Sequence, residues 1–157
     1  MKLVPSREMK IDLLPEQEEN LCTKETIREI FARDEKKECT AFDIYLEERL
    51  VGFAMFCEQL EGVFFLWNYA IDAGYQHRGI GTRALQEVLA YMLSHHRVKV
   101  FTTTYSWGND PARRLYEKVG FREVNVVEGD DYKEVNMIYA VDAEAAEEVK
   151  RSWLAEA

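Results

Sequence analysis

The chain has 157 residues, of which 47% are apolar, and it carries 20 lysines and arginines against 29 aspartates and glutamates. This length and apolar content suit one folded domain and exclude a disordered chain. The net charge of −9 disfavours a duplex nucleic-acid partner, because such a partner needs clustered basic surface. The sequence has neither the roughly 20 apolar residues of a membrane span nor a secretory signal, so we expect a cytoplasmic protein without a membrane partner.

The cysteines and the distribution of charge give two further expectations. Cys22, Cys39 and Cys57 lie 17 and 18 residues apart, unlike zinc or redox motifs, so we expect free thiols and no metal site. Residues 61–127 carry 6 acids and 8 bases, whereas both flanking segments are acidic. Two interpretations stay open: ordinary solvated acidic faces, or a middle segment that meets an anion between flanks that attract a cation.

Apolar patterns predict the elements in chain order. Strand-like patterns occupy seven segments: 9–14, 41–46, 50–57, 63–71, 98–105, 121–127 and 132–141. Helical spacing occupies four: 16–37 as one long or two short helices, 81–95, the run from Asn109 to Gly120, and the tail from residue 142. The hairpin 41–57 turns at three polar residues.

The centre of the chain predicts a parallel crossover with an anion site. Segment 63–71 is apolar on both faces, like a central strand, and strand, loop, helix and strand in this order require two parallel strands. Gly79 and Gly81 lie where the strand passes into the helix, and the unpaired N–H groups of a helix N-terminus attract anions. The spacing fits neither a Walker A loop nor GxGxxG, so nucleotide hydrolysis and dinucleotide redox chemistry lose support.

Two motifs resemble one known family. Gln76-His77-Arg78-Gly79-Ile80-Gly81 matches the Q/R-x-x-G-x-G/A signature of the GCN5-related N-acetyltransferase (GNAT) superfamily, and Asn109 to Phe121 resembles its second shared block. The resemblance covers residues 9–141. It implies a single α/β domain over residues 1–157, with a mixed sheet of six to seven strands, helices on both faces, a splayed parallel pair and a helical tail at 142–157.

The resemblance also implies a binding site for acetyl-CoA between strands 63–71 and 98–105. The residues that it assigns to this co-substrate are Tyr69, Ala70, Ile71, Gln76, His77, Arg78, Gly79, Ile80, Gly81, Thr82, Arg83, Asn109 and Arg113. An exposed surface position is the alternative for each arginine. For Asn109 the alternative is a helix N-cap, and one side chain can serve both roles.

The same resemblance places Tyr116 at the general-acid position, where a protonated phenol can donate to the departing thiolate. A core contact is the alternative for this side chain. The acceptor amine arrives as ammonium and needs a base, which we leave unassigned among Glu58, Glu61 and Asp72. The candidates for contact with the substrate are Trp67, Asn68 and Glu58, and the aromatic ring among them offers cation–π contact.

The leading hypothesis is therefore an acetyl-CoA-dependent N-acetyltransferase for a small cationic amine, because residues 65–72 resemble family members that acetylate polyamines. One alternative is acetylation of a protein N-terminus or lysine. A second is a module that binds acyl-CoA without catalysis. Dimers are common in the family, so a homodimer is also considered.

Overall fold

A seven-stranded sheet forms the centre of the computed structural model, which describes residues 1–155. The strands are β1 (Lys2–Ser6), β2 (Cys39–Leu46), β3 (Arg49–Leu60), β4 (Val63–Ile71), β5 (Val100–Ser106), β6 (Arg122–Glu128) and β7 (Lys133–Ala140). Their spatial order is β1-β2-β3-β4-β5-β7-β6. Only β4 and β5 pair in parallel, so the predicted α/β fold with a mixed sheet is confirmed.

Helices cover both faces of the sheet. They are α1 (Pro15–Glu18), α2 (Lys24–Arg33), α3 (Ile80–His95), α4 (Asp110–Val119) and α5 (Ala143–Ala155), with a 3-10 turn at Ala73–Tyr75. Successive strand residues point to opposite faces, and the largest core packs one set of them against α3 and α4. Smaller cores pack the other set against α2 and against α5. These two sides are called the α3/α4 face and the α2/α5 face. Within residues 1–155, no helix is long and apolar enough to cross a membrane.

The first strand differs from the prediction. Residues 9–14 form no strand, whereas Lys2–Ser6 does, pairing with β2 at the edge of the sheet. Met9 and Ile11 are buried, so the alternating pattern reports burial of an extended segment that pairs with no strand. Pro5 lies within β1, and an edge strand tolerates proline because one side of its backbone needs no partner.

The prediction of free thiols is wrong for two of the three cysteines. Cys39 and Cys57 face each other on β2 and β3 and form a disulfide, whereas Cys22 is free. Leu46 pairs with Arg49 across the hairpin turn, and this register would place Phe56 opposite Cys39. An irregularity after Ile44 shifts the register by one residue and brings Cys57 there instead.

Candidate active site

The parallel strands β4 and β5 separate after a short paired stretch. Their register runs only from Val63 opposite Val100 to Phe65 opposite Thr102. Beyond this point β4 keeps its antiparallel partner β3, and β5 keeps β7. The two strands therefore diverge into a splayed pair, as the family resemblance implies.

A cavity of about 440 Å³ opens where the strands diverge. Thr104, Tyr105 and Ser106 are consecutive on β5, and all three line it. Because consecutive strand residues point to opposite faces, the cavity reaches both sides of the sheet. The full lining is Leu14, Glu16, Gln17, Asn20, Leu21, Trp67, Tyr69, Gln76, His77, Thr104, Tyr105, Ser106, Gly108, Asn109, Pro111, Ala112, Tyr116 and Glu134.

Strand β4 reaches the cavity through a bulge. Leu66 pairs with Phe56 and Asn68 with Met55, so Trp67 is an extra residue with no partner on β3. The bulge turns Leu66 and Tyr69 onto the same face and leaves Trp67 lining the cavity at 39% exposure. A partly exposed indole in this position can contact an acceptor cation.

The phenol of Tyr116 lies on the α3/α4 side of the cavity. Helix α4 carries it, and its ring contacts Phe121 edge-on at a centroid distance of 5.7 Å. Burial raises the pKa of Tyr116 to about 12, although the neighbouring Thr103 hydroxyl opposes this shift. The phenol is therefore protonated throughout the neutral range. Tyr116 thus packs in the core and also lines the cavity.

Asn109 also combines two functions. Its Oδ1 accepts a hydrogen bond from Ala112 N at 3.3 Å, which caps α4, and the residue lines the cavity. The side-chain nitrogen Nδ2 of Asn109 makes no hydrogen bond to the part of the chain that the structure describes. That donor is available to a ligand.

The loop before α3 has the features of an anion cradle. Gly79 precedes the helix with φ +74°, and no side chain caps the first turn. A Cβ at Gly79 would meet nothing within 4 Å, and one at Gly81 would meet only Ile71 at 3.7 Å. The first-turn N–H groups are therefore approachable, which fits a pyrophosphate. His77, at φ +61°, and Gln76 connect this loop to the cavity.

Several predicted acetyl-CoA residues make internal contacts around this loop. Gln76 Nε2 donates to Ile71 O at 2.8 Å, and Gln17 Nε2 donates to the same carbonyl at 3.0 Å. The Tyr69 hydroxyl donates to Gly81 O at 2.5 Å, and burial raises the pKa of Tyr69. These bonds hold the end of β4 against the start of α3.

The predicted arginines lie outside the cavity lining. Arg78 stacks over Tyr75, with 5.5 Å between the guanidinium carbon and the ring centroid. Arg83 Nε lies 3.7 Å from Glu87 Oε1. Arg113 contacts Asp110 and Glu117 on its own helix. Of the remaining predicted positions, Ile80 and Ala70 are buried in the core, and Thr82 is half-buried in the first turn of α3.

Two of the three substrate candidates lie away from the cavity. Asn68 is 2% exposed, and its Oδ1 accepts from Cys22 N at 3.0 Å. Alternation on β4 directs this side chain to the opposite side from Tyr69. Glu58 Oε2 accepts from Gly62 N at 2.9 Å and closes the β3–β4 turn.

Both carboxylate oxygens of the candidate base Asp72 already accept hydrogen bonds. Its two oxygens accept from the backbone N–H groups of Gly74 and Asp12, each at 2.8 Å. These two bonds hold the turn between β4 and α3 together. A structural role in this turn therefore accounts for both carboxylate oxygens.

Sequence patterns missed the N-terminal wall of the cavity. Gln17 and Asn20 lie in a charged stretch with no chemical motif, and they reach the site only through long-range contacts: Gln17 Nε2 with Ile71 O, and Ser106 Oγ with Asn20 Oδ1 at 2.9 Å. Glu134 did leave a signal. On β7 it alternates with the buried Val135 and Met137, which places it on the opposite face.

Known acetyltransferases share sequence and fold with this chain. It is 28% identical over 99 residues to the spermine/spermidine N(1)-acetyltransferase of Bacillus subtilis (strain 168), covering 57% of this chain and 65% of that relative. A variant of the spermidine N-acetyltransferase SpeG from Vibrio cholerae superposes with a TM-score of 0.65 at 15% identity, over 75% of each chain. AAC(6')-Ib in complex with ribostamycin and coenzyme A gives 0.63 at 21% identity, over 80% of this chain and 76% of that one.

The chain thus spans about two thirds of the length of the curated relatives that it matches. The family comparison extends further along the chain: the Acetyltransferase (GNAT) family matches residues 7–121. This range contains the anion cradle, the splayed strands and Tyr116. The chain belongs to the Acetyltransferase (GNAT) family.

Proposed function

We propose that this protein transfers the acetyl group of acetyl-CoA directly to a primary amine of a small, polyamine-like cation, within a ternary complex. The observation that carries the proposal is the cavity at the β4–β5 split, which reaches both faces of the sheet and is lined by Tyr116. A thioester can enter from the α3/α4 face, beside the anion cradle. The amine can then approach from the α2/α5 face.

The residues present fit acetyl-CoA. The uncapped start of α3 and its two glycines suit the pyrophosphate, and Arg78 and Arg83 add positive charge nearby. Beyond Phe65, β4 pairs with no strand on its β5 side, so the backbone groups between Leu66 O and Ile71 O, which themselves accept from side chains, can bond the pantetheine amides. Asn109 can donate from its free amide nitrogen.

The reaction follows from these positions. A neutral amine attacks the thioester carbonyl, so a C–N bond forms and the C–S bond breaks through a tetrahedral oxyanion. The nitrogen loses its proton to solvent or to a base, the thiolate, with a reference pKa of about 8.5, receives one from Tyr116, and Tyr116 regains a proton from solvent. Because burial raises the pKa of Tyr116 to about 12, the phenol is protonated at neutral pH and can donate a hydrogen bond to the sulfur as it leaves.

The relatives support a cationic acceptor. The Bacillus subtilis relative is named for spermine and spermidine, the Vibrio cholerae structure for spermidine, and AAC(6')-Ib was solved with an aminoglycoside. All of these acceptors are small molecules with several amino groups. A small polycation is therefore the substrate class that we propose.

The test is a steady-state panel of spermidine, spermine, an aminoglycoside, lysine-containing peptides and peptides with free N-termini, with acetyl-CoA binding measured in parallel. We expect the polyamines to give the highest kcat/KM. Preferential turnover of peptides would favour a protein acetyltransferase. Tight acetyl-CoA binding without turnover of any amine would support a binding module instead.

A further inference from the structure

The lining of the active-site cavity has a strongly one-sided charge. Two carboxylates, Glu16 and Glu134, belong to it, whereas it contains neither lysine nor arginine. Glu134 is half-buried and Glu16 is exposed. Neither carboxylate forms an ion pair or accepts a side-chain hydrogen bond within residues 1–155. Both negative charges are therefore available to a cation inside or at the mouth of the cavity.

A chain of contacts joins the two carboxylate residues across the α2/α5 face. Glu134 on β7 is the direct register partner of Ser106 on β5, so their side chains lie on the same face. Ser106 Oγ donates to Asn20 Oδ1 at 2.9 Å, and Asn20 Nδ2 donates to Glu16 O at 2.9 Å. This bridge ties the α1 segment (residues 14–21) to the end of β5, and Glu16 and Glu134 both line the cavity there.

The length of β5 gives a minimum distance between Glu134 and the groups that would react. Tyr116 neighbours Thr103, and Ser106 is the last residue of β5. Three residues of extended strand span about 10 Å. Because Thr103 and Ser106 also point to opposite faces of the sheet, a cation beside Glu134 is at least about 10 Å from the level at which the acetyl group would be transferred.

We infer that Glu134, assisted by Glu16, binds a second ammonium group of the acceptor, and that the site selects amines whose two charges lie at least about 10 Å apart. This inference rests on the proposed function and adds the residue that sets acceptor length. Under it, one amino group reaches the β4–β5 split beside Trp67 while the distal one stays at the mouth. A short diamine carries the same charge but cannot place both groups.

The test measures binding by calorimetry to the protein saturated with CoA, using 1,8-diaminooctane and 1,3-diaminopropane. The two amines have equal charge and differ in reach. Glu134→Gln preserves the shape of the side chain and removes its charge. We expect this variant to weaken binding of the long diamine by about tenfold, which corresponds to about 1.4 kcal/mol, and binding of the short one by less than about twofold. Glu16→Gln should act in the same direction but more weakly, because exposed ion pairs contribute little.

Glu128→Gln is the matched control, because it makes the same change on the β6–β7 hairpin outside the cavity. It should leave both affinities unchanged. Equal losses for the two diamines, or no loss in Glu134→Gln with unchanged thermal stability, would overturn the inference, as would failure of the wild-type protein to prefer the long diamine. Because the readout is binding, these results are separate from the proposed function, which the turnover panel of amines and peptides tests.

Discussion

At the scale of single residues, Tyr116 links packing and chemistry. The burial that stabilises its ring also raises the pKa of its hydroxyl to about 12. A raised pKa favours the protonated form, so this form is present below the ordinary tyrosine value of about 10 and is lost only as the pH rises through about 12. Ionisation of Tyr116 should therefore not limit turnover at neutral pH.

We expect Tyr116→Phe to lower kcat by at least about 100-fold, the usual contribution of a positioned acid, and to leave the Kd for acetyl-CoA unchanged. Tyr105→Phe is the matched control, since Tyr105 lines the same cavity but its hydroxyl already donates to Glu123 Oε1 at 2.5 Å. Its effect on kcat should be smaller. Turnover measured from pH 6 to 9 decides the matter: full activity of Tyr116→Phe over that range would eliminate the acid role.

Which residues could be predicted depended on whether their function leaves a local pattern. The glycine loop and the Asn109 cap have fixed spacing relative to a helix start, so both were predicted from sequence. Asn68 was predicted as a substrate residue from its position on β4, and the structure buries it with its Oδ1 bonded to Cys22 N, a long-range contact that alternation along a strand does not reveal. Asn20 has no motif, and the alternation on β7 gives only the face of Glu134. Only the folded sheet brings them to the cavity.

At the scale of elements, the end of α4 is fixed by a close backbone contact. Gly120 follows the helix with φ +127°, and a Cβ there would lie 2.7 Å from Tyr139 Cε2. Only glycine adopts this conformation without strain. The contact sets the angle at which α4 presents Tyr116 and Asn109 to the cavity.

We expect Gly120→Ala to lower the free energy of unfolding by about 2–4 kcal/mol, combining backbone strain with a clash against a packed ring. Gly62→Ala provides the comparison: its φ is +79°, but the nearest atom, Lys99 Cγ at 2.9 Å, belongs to a flexible side chain. Urea unfolding of the two variants measures the difference. Equal destabilisation would show that the Tyr139 ring yields and that the close contact is unimportant.

Most strands and helices were predictable because their apolar period reports the face that is buried. The exceptions concern strand pairing and register, which the apolar period does not report. Residues 9–14 alternate like a strand and bury Met9 and Ile11, but strand pairing cannot be inferred from burial alone. The Cys39–Cys57 disulfide depends on a register shift of one residue in the hairpin, which cysteine spacing does not reveal.

At the scale of the whole molecule, the uneven charge of the sequence has a spatial counterpart. The cradle that suits an anion carries Arg78 and Arg83, whereas the cavity lining carries only acidic charge, apart from the titratable His77. Acidic flanks in the sequence, including residues 14–21 and the β6–β7 hairpin, supply that acidic side. Of the two interpretations of the charge pattern, the division between anion and cation sites is the one that we propose.

We expect kcat/KM for a polyamine to fall several-fold as NaCl is raised from about 0.1 to 1 M, because the Debye length shrinks from about 10 to 3 Å and screens the attraction of a cation to a protein of net charge −9. The kcat/KM for acetyl-CoA, measured at saturating amine, should fall less, because the negative protein as a whole does not attract this anion. An amine dependence that is flat or rises with salt would contradict this account.

The passage of the cavity through the sheet affects the order in which substrates bind and products leave. In a cleft with a single opening, two reactants must enter one after the other, and the second reactant then blocks the exit of the first. Here the cavity between β4 and β5 reaches both the α3/α4 face and the α2/α5 face of the sheet. Under the proposed function, either reactant can bind first. The acetylated amine can also leave from the α2/α5 face while CoA is still bound on the α3/α4 face.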